Sequence, residues 1–148
     1  MATARTWPAL VLVVLLWSHP AGAQRVLDDF EDAGGWTATA SEGTHVWTAV
    51  EPGHSGNALR VGFDLNSGGG YVILHKAFSI PLPENYAFTF WLRGDGLPNN
   101  FEFKLIDGRG KNVWWRNQHD FAFPREWQKI TIRKSRLELA WGTAGGGD

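Results

Sequence analysis

The chain has 148 residues, with 14 Lys and Arg set against 15 Asp and Glu, no cysteine and nine tryptophans. So even a balance excludes the basic footprint that nucleic-acid backbones or anionic membranes require, and the lack of cysteine excludes disulfide staples. Stability must then come from a hydrophobic core, a metal ion or both.

Residues 1–23 read as an export signal. Arg5 is followed by an apolar run over 9–17 and then by Ser18-His19-Pro20-Ala21-Gly22-Ala23, whose small residues at 21 and 23 fit an A-x-A cleavage site. The run is too short to span a hydrocarbon core, which needs about 20 residues. Cleavage would leave a domain over residues 24–148 in a secreted or periplasmic location. Loss of Arg5 leaves 13 basic residues against 15 acidic ones, a net charge near −2.

The first element expected after the signal is a strand over Val26-Leu27-Asp28-Asp29-Phe30-Glu31-Asp32, burying Leu27 or Phe30 and holding its carboxylates at an edge, either solvated or available to a hard cation. Further strands are expected over 36–40, 45–50, 58–65, 70–76, 88–93, 101–105, 112–116 and 127–133. The period-two signature is clearest where Leu59, Val61, Phe63 and Leu65 alternate with Arg60, Gly62 and Asp64. It recurs where Phe88, Phe90 and Leu92 alternate with Thr89, Trp91 and Arg93, and where Phe101, Phe103 and Leu105 alternate with Glu102 and Lys104. Turn sequences such as Glu51-Pro52-Gly53 and Gly94-Asp95-Gly96 separate them, and no helix-length period follows the signal. The pattern predicts an all-β, antiparallel sandwich or jelly roll. Arg133-Lys134-Ser135-Arg136, the one basic cluster, reads as a solvated strand end. Residues 142–148 have turn composition with no strand after them, so the domain is expected to be completed by strands further on, in a longer parent protein.

Catalytic motifs fail one by one. Gly53-His54-Ser55-Gly56-Asn57 lacks the second glycine spacing of a nucleophile elbow, and Asp64-Leu65-Asn66-Ser67-Gly68-Gly69 has His75 where a helix-loop-helix calcium site needs glutamate. Gly108-Arg109-Gly110-Lys111 lacks the spacer of a phosphate loop, and the histidines show no zinc spacing. What remains is tryptophan, whose flat apolar ring can stack on the C–H face of a sugar while polar neighbours bond its hydroxyls. With Phe88, Phe90, Phe103 and Leu105 inward, Trp91, Glu102 and Lys104 point the other way. With Val113 inward, Trp115 joins the core, and Trp114 and Arg116 turn outward. Trp91, Glu102, Lys104, Trp114 and Arg116 are thus the expected glycan-binding face.

Asp28-Asp29-Phe30-Glu31 with Gly35-Trp36, His54-Ser55-Gly56-Asn57-Ala58-Leu59-Arg60-Val61, residues 86–93 and Trp127-Gln128-Lys129-Ile130-Thr131-Ile132 together resemble the galactose-binding-like jelly roll of carbohydrate-binding modules, closest to family 11. The resemblance spans nearly all of 24–148. It implies a non-catalytic module that binds polysaccharide or oligosaccharide and serves a downstream catalytic domain, with no nucleic-acid or membrane partner. It also implies a structural calcium ion, whose ligands carried over by position are Asp29, Glu31 and the turn at Asn57. The closing aspartates of the family's calcium site have no counterpart here. Two other roles fit the same fold: a protein-interaction or structural domain without a sugar site, and a domain that packs on a larger glycoside hydrolase.

Overall fold

The computed structural model describes residues 24–66 and 68–143, so the expected export signal lies outside the described residues, as does the segment 144–148. Among the described residues the chain is all-β. Its strands are β1 (Thr37–Ala40), β2 (His45–Pro52), β3 (Asn57–Asp64), β4 (Val72–His75), β5 (Ala87–Leu92), β6 (Asn99–Ile106), β7 (Val113–Phe121), β8 (Gln128–Arg133) and β9 (Glu138–Trp141), with one 3-10 turn at Lys134–Arg136. All pairings are antiparallel: β1 with β4, β2 with β3, β5 with β8, and β6 with β7 with β9. The strands expected from alternation are present, but β7 runs on to Phe121 and β9 was not anticipated.

The strand expected over residues 26–32 does not form. Asp28 and Asp29 each accept a hydrogen bond from the N–H two residues on, at 2.8 Å from Phe30 and 3.2 Å from Glu31, and Asp32 does the same for Gly34 at 2.6 Å. These aspartate turns use local N–H groups that a sheet ladder would need. Phe30 takes a left-handed φ of 58°, which is incompatible with an extended strand.

Two ribbons that share no backbone hydrogen bonds make the sandwich. In β5–β8, Phe88 lies opposite Ile132 and Phe90 opposite Ile130, so these four side chains share one face. They meet the phenylalanine face of β6: ring centroids are 5.4 Å apart for Phe88 and Phe103, 6.2 Å for Phe90 and Phe103, and 6.3 Å for Phe90 and Phe101. A β-bulge extends this seam. Between the pairs Asn99/Phe121 and Phe101/Gln118, β7 carries one residue more than β6, and Asp120 absorbs the kink with φ 52°. The extra residue brings Phe121 onto the phenylalanine face, where it stacks on Phe101 at 5.0 Å and meets Phe123 edge-on at 5.1 Å.

Among the described residues, Val113 and Ile132 are the apolar side chains that are fully buried, at 2% and 3% exposure. So small a core makes each seam residue count. Replacing Ile132 by alanine is expected to cost about 2–4 kcal/mol, and Phe103 by alanine about 3–5 kcal/mol. Urea unfolding would register both as lower midpoints, whereas variants within 0.5 kcal/mol of wild type, roughly the range for surface positions, would mean that the ribbons are held together elsewhere.

Candidate functional site

Strand register divides the expected glycan-binding residues among three surfaces. Directly opposed residues of an antiparallel pair share a face. Lys104 lies opposite Trp115, Phe103 opposite Arg116 and Leu105 opposite Trp114. Trp114 and Arg116 therefore belong to the phenylalanine side of β7, and Trp115 to the Glu102 and Lys104 side, the reverse of the phase expected with Val113 inward. Val113 is buried on the other side, opposite Trp141 of β9. On that side Lys104 pairs with Glu102 at 2.6 Å and its ammonium stands 5.4 Å from the ring centroids of both Trp115 and Trp141. This is a self-satisfied cluster. Trp91 sits on the outward side of β5, on the far side of the sandwich from Glu102 and Lys104.

Trp91 is 44% exposed, and one face of its indole is covered by the imidazole of His54, with ring centroids 3.6 Å apart and planes within 9°. His54 is delivered by the β2–β3 turn, closed by the Gly53 N–H donating to the Gly56 carbonyl at 2.9 Å. Trp47, not singled out by the sequence reading, is built similarly. Its indole lies over Gly62, its cross-strand partner, so closely that a Cβ there would overlap the ring, yet the residue remains 47% exposed. Glycine inside a strand is the sequence signal for such an approach, and Gly62 holds a position on the polar phase of β3, beside Arg60 and Asp64. Glu51, on the same face of β2 as Trp47, ion-pairs with Arg60 at 3.3 Å and with Arg93 at 3.8 Å, tying this surface to the end of β5. Arg93 in turn stands 5.0 Å from the Trp127 ring centroid. Trp47 and Trp91 thus belong to one outward surface, each backed on one ring face.

The opening acidic segment is an anchor. Asp28, 9% exposed in its side chain, accepts hydrogen bonds from Lys76 Nζ, from the Phe30 N–H at 2.8 Å and from Trp36 Nε1 at 3.1 Å. Burial pushes its pKa up, but the bond from Lys76 and the other donors together outweigh it and hold the carboxyl below its ordinary value. A lowered carboxylate pKa contributes stability above the unfolded-state value that is lost as pH falls through the folded one. Asp28→Asn is therefore expected to cost about 1–3 kcal/mol at pH 7. The gap to wild type should narrow as pH drops below about 4. Urea titrations at pH 7 and pH 3 measure this, and an equal gap at both would detach the loss from the Asp28 charge.

The residues expected to hold calcium meet one another directly. Glu31 Oε1 accepts the Asn57 N–H at 3.0 Å and Oε2 accepts Asn57 Nδ2 at 2.8 Å, while Asp29 Oδ1 accepts the Glu31 N–H. Gly56 permits this approach, since a Cβ there would overlap Glu31 Oε1 and its φ of 65° is left-handed. Asn57 thus offers the carboxylate a nitrogen where calcium would need an oxygen, and among the described residues no three His, Asp or Glu gather as a metal set. As arranged, these residues do not form a calcium cage. Glu31→Ala should lower stability by about 1–3 kcal/mol, with a melting temperature insensitive to chelator. A rise on adding calcium would mean that the Asn57 amide turns over to present its oxygen.

Arg116 lies instead beside a cleft of about 510 Å³ between β7 and the edge of β8, lined by Gln118 and Phe121 from one side and by the whole of β8 and Arg136 from the other. Comparison of the chain with protein-family models, curated proteins and solved structures finds no match.

Proposed function

We propose that this protein is a non-catalytic module of galactose-binding-like jelly-roll type that binds polysaccharide on the surface carrying Trp47 and Trp91. In an exported parent protein it would hold a downstream catalytic domain at its substrate, the gain coming from effective concentration rather than from chemistry. The observation that carries this reading is the backing of both exposed indoles, Trp47 by Gly62 and Trp91 by His54. A ring fixed from behind loses little freedom when a sugar stacks on its open face, which lowers the cost of binding. Glu51, Arg60 and Arg93 supply charged hydrogen-bonding groups for sugar hydroxyls on the same surface.

A second reading, a domain that packs on a neighbouring domain, is favoured by the apolar side of the β2–β3 ribbon. There Val50 and Phe63 are 39% and 46% exposed.

Affinity electrophoresis on neutral glucans, xylans and mannans separates the two. Trp47→Ala and Trp91→Ala should each weaken binding by about 1–3 kcal/mol, the range for aromatic stacking platforms. Gly62→Ala, which displaces the Trp47 ring without removing it, should weaken binding similarly. Melting temperatures of the two tryptophan variants should stay near wild type. Absence of retardation on every glycan, neutral or charged, would leave the packing reading.

A further inference from the structure

The register of β5 and β8 sets a cation beside the Trp91 indole. Trp91 lies directly opposite Lys129, Thr89 opposite Thr131 and Ala87 opposite Arg133, so these six residues share one face of the ribbon. All six are exposed, whereas the alternate residues Phe88, Phe90, Ile130 and Ile132 turn to the seam. The backbone sharpens the placement of Lys129. Just past the ribbon the Lys134 N–H donates to the Tyr86 carbonyl at 3.0 Å, which makes Tyr86 and Lys134 a hydrogen-bonded pair. Bonded and non-bonded pairs alternate along an antiparallel ladder, so Trp91 and Lys129 form a non-bonded pair, the closer kind, with Cα atoms about 4.5 Å apart. The lysine stem thus starts at the foot of the indole.

Charge on this face is left uncompensated. β5 and β8 carry no Asp or Glu. The ion pairs among the described residues engage Arg60, Lys76, Arg93, Lys104 and Arg125, so neither Lys129 nor Arg133 has a carboxylate partner there. Arg93, two residues beyond Trp91, is held by Glu51 and stands over the Trp127 ring. The excess is local, since the whole chain has a formal net charge of −1. A cation without a counter-ion, next to a stacking platform, favours a ligand that brings an anion on the rim of the stacked ring, because charge-assisted hydrogen bonds are about twice as strong as neutral ones. Thr89 and Thr131 offer hydroxyls that can donate to and accept from those of the sugar. Arg133, four residues along β8 and about 13 Å from Lys129, lies where a further acidic unit of the same glycan could reach it.

We propose that the Trp91 platform selects acidic saccharides: a sugar ring stacks on the open face of the indole and its carboxylate or sulfate is met by the Lys129 ammonium. The proposal rests on the polysaccharide-binding reading and adds the ligand class. The test is affinity electrophoresis of the full chain at low salt on polygalacturonate and on a sulfated galactan, which distinguish the two anionic groups, with neutral galactan and poly-glutamate as controls. At least one acidic glycan should retard the protein more strongly than either control, and the preference should shrink as salt is added. Lys129→Gln, at an exposed position, should weaken acidic-glycan binding roughly tenfold, the scale of one lost charge-assisted hydrogen bond, and leave binding to neutral galactan within about twofold. Trp91→Ala should weaken both. Arg116→Gln, on the phenylalanine side of β7, should change neither. Neutral binding that equals or exceeds acidic binding, or an equal loss on both in Lys129→Gln, would overturn the acidic selectivity while leaving the tryptophan surface standing. Retardation matched by poly-glutamate, or unmoved by Trp91→Ala, would overturn it as unspecific charge attraction. No binding to any glycan would remove both readings.

Discussion

The contact on which the molecule depends is the aromatic seam between β5–β8 and β6–β7. Backbone hydrogen bonds hold each ribbon together but none joins one ribbon to the other. Their union rests on side-chain packing, Phe88 and Phe90 against Phe101 and Phe103 with Ile132 buried beside them. At the rim a backbone bond from the Gly94 N–H to the Pro124 carbonyl at 2.8 Å ties the residues after β5 to those after β7. Each offset or tilted ring pair contributes about 0.5–1.5 kcal/mol beyond its area term, so the seam is a sum of modest contacts without one dominant bond. Its geometry also decides which side chains face away, and therefore where a ligand could approach.

Asp120 shows how one backbone irregularity serves both packing and surface. A regular ladder would have carried Asp120 to the phenylalanine side and Phe121 away from it. The extra residue reverses this, closing the seam with the stack of Phe121 on Phe101 and placing Phe121, with Ile130 and Ile132, along the cleft between β7 and β8. At the other end of the chain Asp28 plays a comparable role through charge. By binding Lys76, Trp36 and the Phe30 N–H it fastens the irregular opening segment to the end of β4, where Phe30 stacks on Trp36 at 5.5 Å.

Much of the fold was legible in the sequence, because alternation is a local property. The runs around Phe88, Phe103 and Val61 could be read as strands with one buried side, and Trp91 could be placed outward from the phase of its neighbours. The acidic opening misled because Asp28, Asp29 and Asp32 make the same sequence pattern whether they edge a strand or fold back on their own backbone. β7 misled because Val113-Trp114-Trp115 is apolar on both phases, and β9, four residues long, pairs with the edge of β7 and sets Trp141 opposite Val113. Trp47 carried no signal of its own until Gly62 was found opposite it. Arg116 and Arg133, 17 positions apart in the chain, could not be seen to line one cleft. The sequence by itself determined which segments extend and which side of most strands is apolar, since neighbouring residues settle that. The tertiary structure alone decided register, partner and convergence, because these depend on contacts between segments that the chain does not place side by side.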